Sequence, residues 1–304
     1  MKLGISDYDK LNENTFGAEP KTWIRYNGSK YLIKFPKFTK GFPTDSVKSE
    51  HLASSFINLA GGRAHKTIYV EEFEREDGTV SEAVLCKDIL SDGGYDSMVT
   101  FAENTSSIST DIDQHEYFIS EILYIFEKIH NMDFKSVSGD FWEMVLFDAI
   151  LGNNDRHPGN WSIVKKGNER SLSPIYDNGA CLFPRAMRKF DEDEYDWLKT
   201  RTLIFPNSKI MLDNPEKKKS RMNYIELINS GIVPELILNK FRGIDINSVL
   251  NQLRKENDWL SEKDWEFYYT VIKIRFLVII CGIDFNMAYQ SLEREKTPTI
   301  SWGF

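Results

Sequence analysis

The sequence is poor in cysteine, histidine, net basic charge and long apolar runs, and each shortage removes a class of function. Cys86, Cys181 and Cys281 are its three cysteines and form no Cys-x-x-Cys pair. Neither a disulfide framework nor a thiolate zinc site is therefore expected. Five histidines scattered along 304 residues do not make a histidine-rich metal site. The greasiest stretch, Phe276 to Cys281, falls far short of the roughly 20 residues that span a bilayer. The opening MKLGISDYDKLNENT has early charges and no apolar core, unlike a secretory leader. A cytoplasmic protein without a membrane segment is the expectation. With 38 Lys and Arg against 46 Asp and Glu, the formal charge is −8, which argues against broad nucleic-acid binding. There is no internal repeat and no GxGxxG.

What is present supports a well-buried core. Apolar residues make up 41% and aromatic residues 13% of the chain, and the length suits one large domain or two lobes. The first ninety residues read mostly as strands. Thr22–Arg25 and Tyr31–Phe35 flank Asn27-Gly28, a hairpin turn signal because both residues tolerate positive φ. Between Thr44 and Ala60 the apolar spacing changes to that of a helix ended by Gly61-Gly62. Lys66–Glu72 and Ala83–Ile89 follow as strands, and Ser91–Gly94 reads as a linker. Beyond Ser107 helices dominate: Tyr117–Ile129, Phe141–Leu151, Pro234–Phe241, Asn247–Lys255 and Lys263–Gly282, with Trp161–Val164 as a strand among turns. The expected fold class is α+β, with a small β-rich lobe (1–90) and a larger helical lobe (91–304), the outline of a bilobal protein-kinase-like fold.

The chemistry concentrates in LGNNDRHPGNWSIV and SPIYDNGACL, within residues 151–182. Asp155, Asn160 five residues on, and Asp177 beyond a short hairpin supply what phosphoryl transfer from a nucleotide needs. One carboxylate meets the attacking hydroxyl, while an Asn and a second Asp offer hard oxygen donors to Mg²⁺. Taken singly, Asn-Asn-Asp and Tyr-Asp-Asn-Gly are turn sequences. The combination D-R-H-x-x-N, strand, Y-D-N-G is far more specific.

GNNDRHPGN and PIYDNGACL resemble the catalytic loop and metal-binding segment of HipA-like serine/threonine kinases, particularly the short, CtkA-like members. The resemblance implies Asp155 as catalytic base and Asn160 and Asp177 as Mg²⁺ ligands, with Arg156 and His157 shaping the loop. Asp148, about one helical turn before the loop, is placed to brace it by hydrogen bonding. The resemblance also implies ATP held in the N-lobe by Lys34 of YLIKFP, paired with Glu50 near the start of the inserted helix. A G-A-x-x-K loop at Gly17 and Ala18 would cradle phosphates. Asn14 stands where the family can carry a regulatory serine, with Thr15 beside it. The adenine would lie along Leu85, Cys86, Lys87 and Asp88, with Cys86 a small buried residue rather than a reactive thiol.

The expected activity is ATP- and Mg²⁺-dependent phosphorylation of a protein Ser or Thr hydroxyl. The alternatives are a small-molecule or lipid kinase and a toxin-like nucleotide-binding partner of a DNA-binding antitoxin. The acidic run Asp191–Asp196 and Lys217–Lys219 read as solvated surface. The stripe Trp265, Tyr268, Tyr269, Ile272 and Phe276 reads as core.

Overall fold

Two short strands, β1 (Lys2–Leu3) and β2 (Asp9–Lys10), open the chain, followed by the hairpin β3 (Lys21–Tyr26) and β4 (Ser29–Lys34). The computed structural model describes residues 1–13, 21–101, 103, 117–129, 132, 134–184, 193–204, 209–211 and 223–296. Asn27 and Gly28 turn the hairpin at φ 47° and 73°, the left-handed pair that matches strand twist, and set the register Tyr26 to Ser29 and Lys21 to Lys34. On β4 the two-residue period sends Tyr31 and Ile33 into a small core with Ile24, Val70, Phe73 and Leu85. Leu32 and Lys34 point to the opposite face.

A two-stranded excursion, β5 (Phe38–Thr39) and β6 (Phe42–Pro43), leads into α1 (Ser46–Leu59). Gly61, at φ 83°, ends the helix in the left-handed conformation glycine adopts without strain. Strands β7 (Thr67–Glu74) and β8 (Val80–Lys87) complete a six-stranded sheet of order β1-β7-β8-β4-β3-β2. Helix α1 has two buried sides. Val47 meets Tyr69, Val84 and Cys86 of the sheet, while Leu52, Ala53, Phe56 and Ile57 enter the large core of the C-terminal part. The element that carries Glu50 is thus wedged between sheet and helices.

Ser91–Gly94 is not an extended linker: Ile89–Gly93 form a short helix, α2, stopped by Gly94 at φ 60°. Its N-cap is Asp88, whose carboxylate accepts from the Ser91 N–H, a capping bond that a linker reading overlooks. Strand β9 (Ser97–Thr100) follows, and then β10 (Tyr117–Phe118), α3 (Ile119–Tyr124, continued by a π turn to Ile129) and the long α4 (Phe134–Leu151). The 117–129 helix therefore opens as a short strand. Gly152, at φ 68°, ends α4 and releases the chain into the loop 152–160.

That loop is held between α4 and β11 (Ser162–Lys166), which pairs with β12 (Glu169–Leu172) on one side and β9 on the other. The remaining elements are α5 (Glu194–Leu203), β13 (Ile210–Met211), α6 (Tyr224–Asn229), α7 (Glu235–Arg242), α8 (Ile246–Glu256), α9 (Glu262–Arg275, running into a π turn to Ile280) and α10 (Phe285–Lys296). Tyr268, Ile272 and Phe276 of the aromatic stripe are buried, with Trp265 and Tyr269 packed against the same core. Among the described residues, no helix is long and apolar enough to cross a membrane.

Candidate active site

The site is organised by one buried guanidinium. Arg156, in the loop 152–160, donates to both carboxylate oxygens of Asp148 at 2.9 Å. It also donates to the carbonyl of Asn160 at 2.8 Å, to Oδ1 of Asn178 at 2.7 Å and to the carbonyl of Tyr176. Burial pushes the guanidinium's pKa down, but the adjoining Asp148 carboxylate more than compensates and raises it. Asp148 also accepts from Asn153 Nδ2 at 2.8 Å. The loop and the segment 176–178 are therefore fastened to α4 through a single ion pair. Tyr176 adds a second tie, its hydroxyl meeting Ser162 Oγ at 2.6 Å and the Gly159 carbonyl at 3.0 Å.

Within this frame Asp155 is partly exposed, and its main chain is engaged. Its N–H donates to Asn153 Oδ1 at 2.9 Å and its carbonyl accepts from Asn160 Nδ2 at 2.7 Å. With the Asn160 nitrogen committed, its Oδ1 is the atom suited to a cation. His157 forms the N-cap of a single 3-10 turn, its Nδ1 accepting from the Gly159 N–H at 3.1 Å. Asp177 has φ 58°, a left-handed conformation that a non-glycine residue holds only where its surroundings impose it. The impositions are visible on both sides: Arg156 on the Tyr176 carbonyl, and Glu50 Oε1 accepting from the Asn178 N–H at 3.0 Å.

Lys34 reaches across from β4. Its ammonium lies 2.9 Å from Glu50 Oε2 and 2.8 Å from Asp177 Oδ1. Burial works against this charge, yet Asp177 and Glu50 together hold the lysine's pKa well above its ordinary value. Burial likewise pushes both carboxylates up, and the Lys34 ammonium overrides it and holds each below the ordinary carboxylate range. A Cβ at Gly179 would stand 3.2 Å from Glu50 Oε2, a tight contact that the carboxylate would have to yield to by a few tenths of an ångström.

Two cavities flank the segment 177–180. One, of about 470 Å³, is lined by Trp23, Leu32, Lys34, Cys86, Asp88 and Asp177 among others. It combines an apolar wall with a cation and a carboxylate. The second, of about 370 Å³, contains Asp155, Asn154, Gly179, Lys37 and Arg201. The structure thus brings Lys34, Glu50 and Asp177 into direct contact and sets Cys86 and Asp88 along the same cavity. Cys86 is buried, and its thiol belongs to the wall. Gly17 and Ala18 lie outside the described residues, as do Asn14, Thr15, Asp191 and Lys217–Lys219.

Sequence reasoning missed His65, whose Nε2 lies 2.9 Å from Glu50 Oε1. It also missed Tyr176 and Asn178 as loop fasteners. The only available signal was their adjacency to Asp177, since His65 sits in a turn-like Gly-Gly-Arg-Ala-His step.

Comparison with known proteins identifies the family. Residues 15–202 match the model of the HipA-like C-terminal domain. The chain belongs to the HipA-like family of serine/threonine kinases. It is similar to the serine/threonine-protein kinase CtkA of Helicobacter pylori strain J99, with 26% identity over 271 residues, 86% of this chain and 80% of that protein. The crystal structure of the proinflammatory kinase CtkA superposes with a TM-score of 0.73 at 25% identity, covering 93% of this chain and 95% of that one. The HipA of Shewanella oneidensis MR-1, solved with HipB and operator DNA, shares the fold at a TM-score of 0.53 and 14% identity, covering 93% of this chain and 67% of that one.

Proposed function

We infer that this HipA-like chain transfers the γ-phosphoryl group of ATP, with Mg²⁺, to a Ser or Thr hydroxyl of a protein. The observation that carries the reading is that Lys34 and Asp177 meet on the wall of one cavity, with the buried Glu50 pinning Lys34 from behind, and that Asp155 lines the neighbouring cavity. The two lobes, 1–90 and 91–304, would close on the nucleotide between them.

In this reading the apolar wall at Leu32 and Cys86 takes the adenine, and Lys34 turns to the phosphates. Asp177 and Asn160 hold the metal, and their donor set fits: a partly buried carboxylate and an amide whose nitrogen is already occupied, both hard oxygen ligands suited to Mg²⁺. When bound, the metal neutralises charge developing on the transferred group. Asp155 orients the acceptor hydroxyl and takes its proton as the oxygen–phosphorus bond forms and the bond to the bridging β,γ oxygen breaks. ADP and the phosphorylated acceptor leave. Most of the rate comes from positioning and fixed charge.

The test is transfer from γ-labelled ATP, with and without Mg²⁺, to the protein itself, to a generic protein acceptor, and to inositide and amino-sugar acceptors. Mg²⁺-dependent label on Ser or Thr supports the reading. Label on a small acceptor alone overturns the protein-substrate part, and failure to bind ATP overturns all of it.

A further inference from the structure

We propose that His65 is a reserve donor that keeps Glu50 in place when Lys34 turns toward the nucleotide. This rests on the kinase reading above.

The backbone of His65 is tied to the segment that leads into Asp177: its N–H donates to the Ile175 carbonyl at 3.0 Å, next to a bridge between Ala64 and Ile175. Its ring is almost wholly buried, with 4% of the side chain exposed. On one side it walls the nucleotide cavity, and on the other a cavity of about 490 Å³ that also touches Arg63, Lys66 and Tyr95.

Glu50 is buried to 1% exposure, and a carboxylate so placed needs donors on both oxygens. Oε2 has Lys34, and Oε1 has the Asn178 N–H. His65 Nε2 lies 2.9 Å from Oε1 but off the line of a good N–H···O bond, so this buried nitrogen has no aligned acceptor. It is close enough to gain one by a small ring rotation.

Lys34 divides its charge between Glu50 and Asp177 in this state. Bringing a metal to Asp177 and phosphates to Lys34 takes the Lys34–Asp177 contact apart and draws the ammonium outward. Glu50 then loses part of its compensation while remaining buried. A proton on Nε2, turned onto Oε1, restores a donor and holds the carboxylate where Lys34 can still reach it. Cys86 Sγ comes within 4.8 Å of the Glu50 and His65 ligand atoms. A cation at that point would face the Lys34 ammonium, so the charges favour a donor over a metal ligand.

The experiment compares wild type, His65→Leu and His65→Gln in steady-state transfer from ATP, in Mg-ATP binding by titration calorimetry, and in thermal melting. His65→Leu removes the donor and should lower kcat/KM for ATP by roughly tenfold or more, the scale of a lost bond to a charged group. His65→Gln can place its amide N–H on Oε1 and should recover most of that loss while melting no higher than His65→Leu. Wild-type kcat/KM in His65→Leu overturns the proposal. Equal losses in both variants, tracking their melting temperatures, also overturn it and leave His65 a packing residue. If wild type transfers no label but binds Mg-ATP, the kinase reading fails separately. Mg-ATP affinity then decides the role of His65, and unchanged affinity in His65→Leu counts against it. If wild type binds no Mg-ATP, both fall.

Discussion

Arg156 and Asp148 face each other through two parallel hydrogen bonds of 2.9 Å, at 4% and 2% exposure. This bidentate pair also anchors the two segments that carry Asp155 and Asp177. Removing one partner leaves the other charge buried and uncompensated. Asp148→Ala should therefore cost about 3–5 kcal/mol of stability, read as a lower urea midpoint. Asp148→Asn retains hydrogen-bonding atoms and should cost less. Equal stability of Asp148→Ala and wild type would show that the pair does not hold the loop.

Asp155 offers the complementary case, a side chain separable from the scaffold. The bonds that shape its loop run through its main chain, to Asn153 and from Asn160. Asp155→Asn should leave the fold and Mg-ATP affinity near wild type while lowering transfer by about 10²–10⁴, the usual contribution of a positioned base. Label incorporation measured beside nucleotide affinity checks this. Transfer at the wild-type rate would remove Asp155 from the base role.

The Lys34 cluster makes a prediction about pH. Glu50 and Asp177 have pKa values below the ordinary range. Their contribution is present above the unfolded carboxylate value of about 4 and is lost as pH falls through the folded values. Lys34 is raised, so its contribution is complete below about 10.4 and is lost as pH rises through its folded value. The cluster should stabilise the nucleotide-free protein across roughly pH 5 to 10. Asp177→Asn should make the acid side of a urea-midpoint profile shallower. An unchanged acid limb would assign that limb to other groups.

Local sequence chemistry carried much of this architecture. Asn27-Gly28 marks its hairpin and Gly61 the end of α1, because those signals act within a few residues. Lys34 and Glu50 were legible as a pair only through the family resemblance, and their contact is now seen at 2.9 Å. What stayed illegible was long-range. Nothing near Ser97 announces that β9 pairs with β11, and nothing near His65 announces Glu50. Asp88 was read as lining the nucleotide site, and it stands on the wall of the cavity that Lys34 and Asp177 share. Its carboxylate is also the cap of α2, an engagement that hydrophobic spacing does not reveal.

The last prediction concerns the helix that carries Glu50. His51 follows it on α1, accepts or donates a 2.8 Å hydrogen bond with Thr67 Oγ1, and lies beside Tyr69 and Trp259, which stack at 3.8 Å. Burial pushes its pKa down to about 4. The imidazole is therefore neutral in the fold, while the unfolded chain takes up a proton near pH 6.5. Between these values the unfolded state binds more protons, so stability falls as pH drops, by up to about 3 kcal/mol at pH 4. His51→Gln removes the titrating group and should flatten urea stability between pH 6.5 and 5. Because the imidazole stays neutral in the fold over this interval, the effect lies in the unfolded state, and Mg-ATP affinity of the folded protein should follow the same pH course in wild type and His51→Gln. If both proteins lose stability equally from pH 6.5 to 5, His51 is not the source of the acid sensitivity of α1.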